Sequence, residues 1–181
     1  MRNAFIISTV LLILSTNSVL CQVVAKEIEE IRVEFKLINS DSTYKKVELD
    51  NEYFINEGRV ADGGCSLTGY SKNGIVKKIV SWVGLSAGNE IIEYYYKNNK
   101  LIFVYEEFHS FVYDKVSGEF RHDTTEKTFI GRYYFKNSKL IDYITTGHNR
   151  FEDDTVDPEK TLLTESRSNM NAILRKLKNI R

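Results

Sequence analysis

Three segments of this chain carry the signal for a tight two-residue turn between β-strands. YYYKNNKLI covers residues 94–102, YYFKNSKLI returns at residues 133–141, and the more diverged YSKNGIVKKI covers residues 70–79. Their central pairs, Asn-Asn, Asn-Ser and Asn-Gly, tolerate the positive φ angles of a hairpin turn. The Tyr, Phe, Ile and Val residues on both sides favour strands. The repeat therefore predicts three hairpin tips of a meandering antiparallel sheet, and not one binding device used twice.

A turn at Asn98-Asn99 also predicts which side chains share a face. On one face the register pairs Tyr96 with Leu101, Tyr94 with Phe103, and Ile92 with Tyr105. On the other face it pairs Tyr95 with Ile102 and Glu93 with Val104. Residues that lie opposite each other in an antiparallel pair pack together. Since the first face is wholly apolar or aromatic, we expect it to hold the core, and we expect the second to be exposed or partly covered.

Amphipathic helices are predicted on both sides of this sheet region. Apolar residues at spacings of three and four predict a helix over residues 25–38, and they are Ile28, Ile31, Phe35 and Ile38. A second helix is predicted over residues 158–179, because Asp157 suits the N-cap and Pro158 the first helical position. Its apolar stripe is Met170, Ile173, Leu174, Leu177 and Ile180. These elements indicate an α+β fold in two layers, with an antiparallel β-meander flanked by an N-terminal and a C-terminal helix.

The N-terminus has the composition of an export signal. A basic residue precedes the run AFIISTVLLIL, which is too short to span a bilayer, and STNSVLCQ follows. We expect residues 1–22 to be a signal peptide and residues 23–181 to form one periplasmic or extracellular domain. Lipid anchoring at Cys21 is the alternative, although Leu20 stands where a bacterial lipobox has a small residue. No later stretch is apolar enough for a membrane helix, so no transmembrane segment is expected in the mature chain.

The charge balance and the cysteines limit the partners and the crosslinks that we expect. The sequence has 25 basic and 25 acidic residues, and removing residues 1–22 takes away only Arg2, which leaves 24 against 25. A domain so close to neutrality lacks the basic surface that nucleic acid requires, so nucleic acid is not expected as a partner. If Cys21 leaves with the signal, Cys65 stands alone and no intramolecular disulfide can form.

Few residues suggest catalysis or metal binding. Cys65 follows a Gly-Gly pair, and a nucleophilic thiol there would need a base from among His109, His122 and His148. No two histidines have zinc-site spacing, and His148 with Glu152 is the nearest approach to it. The segment FEDDTVDPE holds five carboxylates but lacks the glycine and the spacing of a calcium loop, so we interpret it as a solvated acidic loop. No cofactor and no metal site are predicted.

Tyrosine is the remaining feature, with 11 in the chain. Aromatic strand residues usually pack in cores, but exposed tyrosines are also common at interfaces. We take Tyr95, Tyr134 and Arg132 as candidate binding residues on an exposed sheet face. The resulting hypothesis is a non-catalytic exported module that binds an unknown protein or envelope component. The alternatives are a small hydrolase or thiol enzyme that uses Cys65, and a purely structural envelope protein.

The chain resembles a group of small exported proteins of Bacteroidota-type bacteria. The similar features are a signal that ends in CQ, the early helix IRVEFKLINS, and the paired strands EYYYKNNKLIFVYEE and GRYYFKNSKLIDYI. This resemblance spans most of the mature chain. It implies export and the fold given above, and it implies no activity and no catalytic residue.

Overall fold

A computed structural model describes residues 22–152 and 155–180. The strands are β1 Lys45–Leu49, β2 Gly64–Lys72, β3 Ile75–Leu85, β4 Gly88–Lys97, β5 Lys100–Asp114, β6 Glu119–Lys136 and β7 Lys139–Thr146. The helices are α1 over residues 22–40, α2 Asn51–Asn56 and α3 Pro158–Asn179. Apart from Gln22, the predicted signal peptide lies outside the described residues, and so does Cys21.

The seven strands form one antiparallel sheet in which every strand pairs with its neighbours in sequence, in the order β1 to β7. The three predicted turns are confirmed by positive φ at both central residues: 51° and 60° at Asn98 and Asn99, 50° and 61° at Asn137 and Ser138, and 53° and 77° at Asn73 and Gly74. Turns of this kind match the right-handed twist of the strands that they join. The predicted α+β fold, a hairpin meander with a helix at each end, is therefore confirmed.

The predicted register of β4 and β5 is correct only next to the turn. Tyr96 faces Leu101 as expected, but a β-bulge between Tyr95 and Tyr96 then shifts the pairing by one residue. Tyr95 consequently faces Phe103, and the residue before it on β4 faces Val104. A bulge places two residues of one strand opposite one residue of the other, so simple alternation does not reveal it. Beyond the bulge, the predicted assignment of β5 side chains to faces is wrong.

The two long helices cover opposite faces of the sheet, so the expected two-layer arrangement is wrong. The face under α3, called the α3 face below, includes Tyr94, Tyr96, Val104 and Tyr133. The face under α1, called the α1 face, includes Tyr95, Phe103 and Tyr134. Because consecutive strand residues point to opposite sides, a run such as Tyr94 to Tyr96 makes both faces apolar. Both faces then need cover, and three layers result.

Both predicted helices are confirmed, but the residues predicted to be buried are correct on α1 and only partly correct on α3. On α1, Ile28, Ile31 and Ile38 are buried and Phe35 is partly buried, as the spacing predicted. The bounds and the N-cap of α3 are also as predicted, since the Asp157 carboxylate accepts hydrogen bonds from two backbone N–H groups of the first turn. No helix in the described ranges is long and apolar enough to cross a membrane.

The predicted apolar stripe of α3 is only partly correct. Ile173 is buried and Met170 and Leu177 pack against the core, but Leu174 is 37% exposed and Ile180 is 65% exposed. Two polar residues, Ser166 and Asn169, are also buried. The Tyr96 hydroxyl lies 2.9 Å from Ser166 Oγ, so a hydrogen bond across the interface compensates for burying both groups.

Candidate functional site

The three predicted binding residues lie close together on the α1 face, but α1 covers two of them. Tyr95 is fully buried and Tyr134 is 2% exposed, so the expectation that their rings form an open surface is wrong. The apolar stripe of α1 needs a partner surface, and these rings provide it. Arg132 is half-buried and lies at the rim of the covered area. The role of the three residues in binding stays a prediction.

A groove with a cavity of about 600 Å3 lies between α1 and the strands β4 to β7. Its apolar and aromatic lining consists of Ile31, Phe35, Phe103, Tyr105, Tyr134 and Ile144. Its charged lining consists of Arg32, Lys36, Arg132 and Glu93. Sites for small molecules commonly have volumes of about 300–1,000 Å3, mostly apolar walls and a few convergent polar groups. By size and lining, this groove matches such a site.

The floor of the groove is built by cross-strand rows. Tyr105 on β5 lies opposite Arg132 on β6, which in turn lies opposite Ile144 on β7. In the next row on the same face, Phe103 lies opposite Tyr134. Residues two apart on a strand point to the same side, so the two rows form one continuous floor. α1 supplies the facing wall.

Each of the two arginines in the groove rests on an aromatic ring. The guanidinium carbon of Arg132 lies 5.4 Å from the centroid of the Tyr105 ring, and that of Arg32 lies 5.7 Å from the centroid of Tyr134. The nearby Tyr134 hydroxyl raises the pKa of Arg32. Burial, followed by the hydrogen bond that its hydroxyl donates to Glu107, raises the pKa of Tyr105 to about 12. Arg32 therefore stays positively charged and Tyr105 stays neutral at neutral pH.

Glu93, the acidic residue of the lining, already has partners. Lys78 Nζ lies 2.8 Å from its carboxylate, and the Tyr95 hydroxyl donates a hydrogen bond to it. Asn39 Nδ2 in turn donates to the Tyr95 hydroxyl at 3.1 Å. Burial, and then the charge of Glu93, raises the pKa of Tyr95 far above its ordinary value. This network compensates the charge of Glu93 and attaches the C-terminal end of α1 to the sheet.

A second concentration of charge lies on the α3 face. Arg150, in the segment after β7, places its two terminal nitrogens 2.6 and 2.9 Å from the carboxylate oxygens of Glu165 on α3. Its Nε lies 3.0 Å from Glu106 Oε1 on β5. The Tyr94 hydroxyl donates to Glu165 at 3.0 Å. One guanidinium thus connects the sheet, α3 and the segment between them.

Burial is the largest influence on the pKa values of Glu106, Glu90 and Tyr133 in this cluster. Glu106 is 2% exposed, and burial raises its pKa to about 7 against the opposing effect of Arg150. Burial also raises the pKa of Glu90, which faces the same cluster from β4. Burial and the charge of Glu106 raise the pKa of Tyr133. Among the described residues, Glu106 Oε2 and the Tyr133 hydroxyl make no hydrogen bond.

The residues that a thiol enzyme would need are not brought together. Cys65 is a partly buried free cysteine at the edge of the α3-face core, and its backbone N–H donates to Asn51 Oδ1 at 3.0 Å. His109 lies 2.9 Å from Glu107, and the ring centroid of His122 lies 4.6 Å from that of Phe111. Within residues 22–152 and 155–180, no histidine or carboxylate is hydrogen-bonded to the Cys65 thiol.

In the acidic segment before α3, His148 and Glu152, the pair nearest to zinc-site spacing, are in contact. His148 Nδ1 lies 3.1 Å from the Glu152 carboxylate, and the histidine side chain is fully exposed. The Glu159 carboxylate accepts the backbone N–H of Leu140 at 2.7 Å, which joins the start of α3 to β7. Asp153 and Asp154 lie outside the described residues. In the described part of the chain, no three His, Cys, Asp or Glu residues are placed to hold a metal ion.

The candidate residues from the sequence share Arg132 and Tyr134 with the groove lining, and they include none of its other residues and none of the Arg150 cluster. Phe35 was predicted only as part of the apolar face of a helix. Glu106 interrupts the strand segment LIFVYEEF, and a charge at an inward position was the available signal. No protein-family model, curated protein or solved structure matches this chain.

Proposed function

We propose that this protein is a non-catalytic exported binding module and that the groove between α1 and the sheet is its binding site. The observation that supports this is the groove itself, an apolar cavity of about 600 Å3 beside two arginines that rest on its aromatic lining. A concave site of this size, with mostly apolar walls and a few convergent charged groups, is the usual form of a small-molecule site. A ligand would give the groove and its partly exposed cations a use.

The export part of the proposal is supported by the basic residue, short apolar run and small-residue segment of residues 1–22. The resemblance to small exported proteins supports it too. We expect the protein recovered from the producing cells to begin at or beside Gln22, and N-terminal sequencing of the envelope and secreted fractions tests this. Recovery of full-length chain from the cytoplasm alone would contradict export.

The two alternative functions have less support. A thiol enzyme requires a base that activates Cys65, and no such contact is made in the described residues. A purely structural envelope protein has no need of the groove. The binding module remains as the hypothesis that gives the groove and its arginines a use.

The proposed binding site is tested with a variant whose larger side chain fills part of the groove. Ile144 lines the rim and is 46% exposed, so Ile144→Trp places a larger side chain in the entrance without adding to a closed core. Ile75→Trp is the matched control, because Ile75 is also 46% exposed and lies at the β2–β3 turn, away from the groove lining. Nile red, a neutral apolar dye whose fluorescence rises on binding, is the probe.

The expected result is that Nile red binds the wild-type protein and the Ile75→Trp variant with equal affinity and binds Ile144→Trp at least about tenfold more weakly. Circular dichroism and thermal unfolding show whether each variant is folded. The proposal is overturned if wild-type protein does not bind the dye, or if folded Ile144→Trp protein binds it as tightly as the control does.

A further inference from the structure

The geometry of the groove points to the class of its ligand. We infer that it selects a small organic anion, whose apolar body lies on the aromatic floor and whose carboxylate is held between Arg32 and Arg132. This inference rests on the proposed function, because it assigns a chemistry to the same site. Three observations support it: the positions of the arginines on aromatic rings, the excess of positive charge in the lining, and the shape of the groove.

The two guanidiniums keep their hydrogen-bond donors available. Arg132 lies over Tyr105 and Arg32 over Tyr134, with distances of 5.4 and 5.7 Å to the ring centroids. A guanidinium that packs on a ring uses its flat face, whereas its five N–H donors point outward in its plane. Contact with the rings therefore leaves most donors of both cations for a carboxylate, which guanidiniums bind in a two-pronged geometry, although Arg32 also interacts with the Tyr134 hydroxyl.

Charge around the groove is not balanced by the protein itself. Arg132 takes part in no ion pair among the described residues, and neither does Lys36. The partner of Arg32 is Glu29, at 3.7 Å, and both side chains are at least half exposed, so that pair contributes little. Glu93 does not compensate for the cations, because Lys78 and the Tyr95 hydroxyl already occupy its carboxylate. The lining thus offers two or three positive charges without counterions.

The shape of the groove favours a free small molecule over a membrane surface. α1 closes one side of the groove, because the Phe35 ring packs directly on the floor with its centroid 5.3 Å from that of Phe103. A single chain or ring system can lie on the floor beside this wall, whereas a planar layer of lipid headgroups would contact the helix and the rim. The combination of an apolar groove and cations at its rim fits an amphipathic carboxylate whose apolar part lies on the floor.

The test compares two ligands that differ only in charge. Dodecanoate and dodecanol are offered as monomers at pH 8, where the acid is ionised, and each is titrated against bound Nile red. The arginine variant is Arg32→Gln/Arg132→Gln. Arg59→Gln is the matched control, because Arg59 is also exposed and also lies over an aromatic ring, at 5.3 Å from Phe54, on the opposite side of the sheet.

We expect wild-type and Arg59→Gln proteins to bind dodecanoate at least about tenfold more tightly than dodecanol, because the carboxylate accepts charge-assisted hydrogen bonds that the alcohol cannot form. The double arginine variant should bind both ligands with the affinity of the alcohol and keep its affinity for Nile red. If that variant does not fold, raising the salt concentration on wild-type protein provides the second measurement, and the preference for dodecanoate should shrink.

Equal binding of acid and alcohol by the wild-type protein overturns the inference and leaves the groove as a site for neutral apolar ligands. A preference for the acid that the arginine variant retains, or one that salt does not reduce, also overturns it. Failure of the wild-type protein to bind Nile red is a different result, because it removes the proposed function itself.

Discussion

Arg150 binds Glu165 with both of its terminal nitrogens, at 2.6 and 2.9 Å, and so attaches the segment after β7 to α3. The same guanidinium approaches Glu106, which is buried, while Glu90 faces the cluster from β4. The charge of Arg150 therefore offsets the negative charge of three carboxylates, those of Glu165, Glu106 and Glu90. Because these carboxylates lie in a mostly buried place, removing the charge of Arg150 should destabilise the protein.

Replacing Arg150 with methionine should lower the free energy of unfolding by about 2–3 kcal/mol. The side chain is 29% exposed, so the cost lies below that of breaking a fully buried ion pair. Urea unfolding measures it. Arg175→Met, which removes an exposed arginine of α3, should change stability by no more than about 0.5 kcal/mol. Adding Glu106→Gln to Arg150→Met should recover part of the loss, and no recovery would contradict the electrostatic explanation.

Glu106 should make wild-type stability depend on pH between about 4.5 and 7. Its pKa is about 7 in the folded protein and has its ordinary value of 4.5 in the unfolded chain. In this interval the folded state holds a proton that the unfolded state has lost, so stability falls as pH rises, by about 1.4 kcal/mol per pH unit at most. The contribution is fully present below the unfolded pKa and is lost once pH passes the folded one.

Glu106→Gln should remove this component. The difference in the free energy of unfolding between variant and wild type, measured by urea titration from pH 5 to pH 8, should move in favour of the variant as pH rises. Taking the difference cancels the titrating groups that do not interact with Glu106. Glu90 does interact with it, and its raised pKa has the same sign of effect. A flat difference for Glu106→Gln would show that Glu106 titrates in the same way in the folded and the unfolded protein.

Gly69 on β2 lies against Ile173 of α3, so Gly69→Ala should destabilise the protein. A methyl group there would lie 2.5 Å from Cγ2 of Ile173, which is fully buried. Overpacking of this kind costs about 1–3 kcal/mol. Ile173→Ala alone should cost about 2–5 kcal/mol, because it leaves a cavity. The double variant should lose less than the sum of the two, and strict additivity in a thermal or urea unfolding cycle would contradict the contact.

In the turn at Asn98-Asn99, the effect of a substitution on stability should depend on the positive φ angle of the backbone. Asn99 has a φ of 60°, where a side chain with an ordinary β-carbon costs about 1 kcal/mol and glycine costs nothing. Asn99→Ala should therefore lower stability by about 1 kcal/mol, and Asn99→Gly should not. Asn171→Ala makes the same chemical change on the exposed side of α3 and should not destabilise, since alanine favours helix. Equal effects at the two asparagines would argue against the positive-φ turn.

The local elements of this fold are readable from the sequence because their signals are local. Asn-Asn, Asn-Ser and Asn-Gly turns depend on two adjacent residues, and the start of α3 depends on Asp157 and Pro158. The β-bulge beside Tyr96 has no such local signal in the sequence. It reverses the predicted assignment of β5 side chains to the two faces of the sheet. The two-layer prediction failed for a related reason, since it assumed one apolar face although Tyr94 and Tyr95 point in opposite directions.

The candidate site was only partly predictable, because it joins residues from distant segments. Arg132 and Tyr134 stand two apart on one strand and were recognised together. Arg32 belongs to α1, and nothing in its neighbourhood in sequence indicates that it lies over Tyr134. The buried polar positions of α3, Ser166 and Asn169, were similarly hidden, because a polar residue on a helix is expected to face water.

The strict order of strands β1 to β7 has a consequence for folding. Every strand pair joins neighbours in the chain, so the entropy lost on closing each hairpin is small and the sheet can grow one strand at a time. α1 differs, because Ile28 and Ile31 pack in the cluster that includes Tyr134 on β6. During synthesis, the first helix to emerge therefore waits for nearly the whole sheet before its docking surface is complete. Throughout that interval its apolar stripe is open to chaperones.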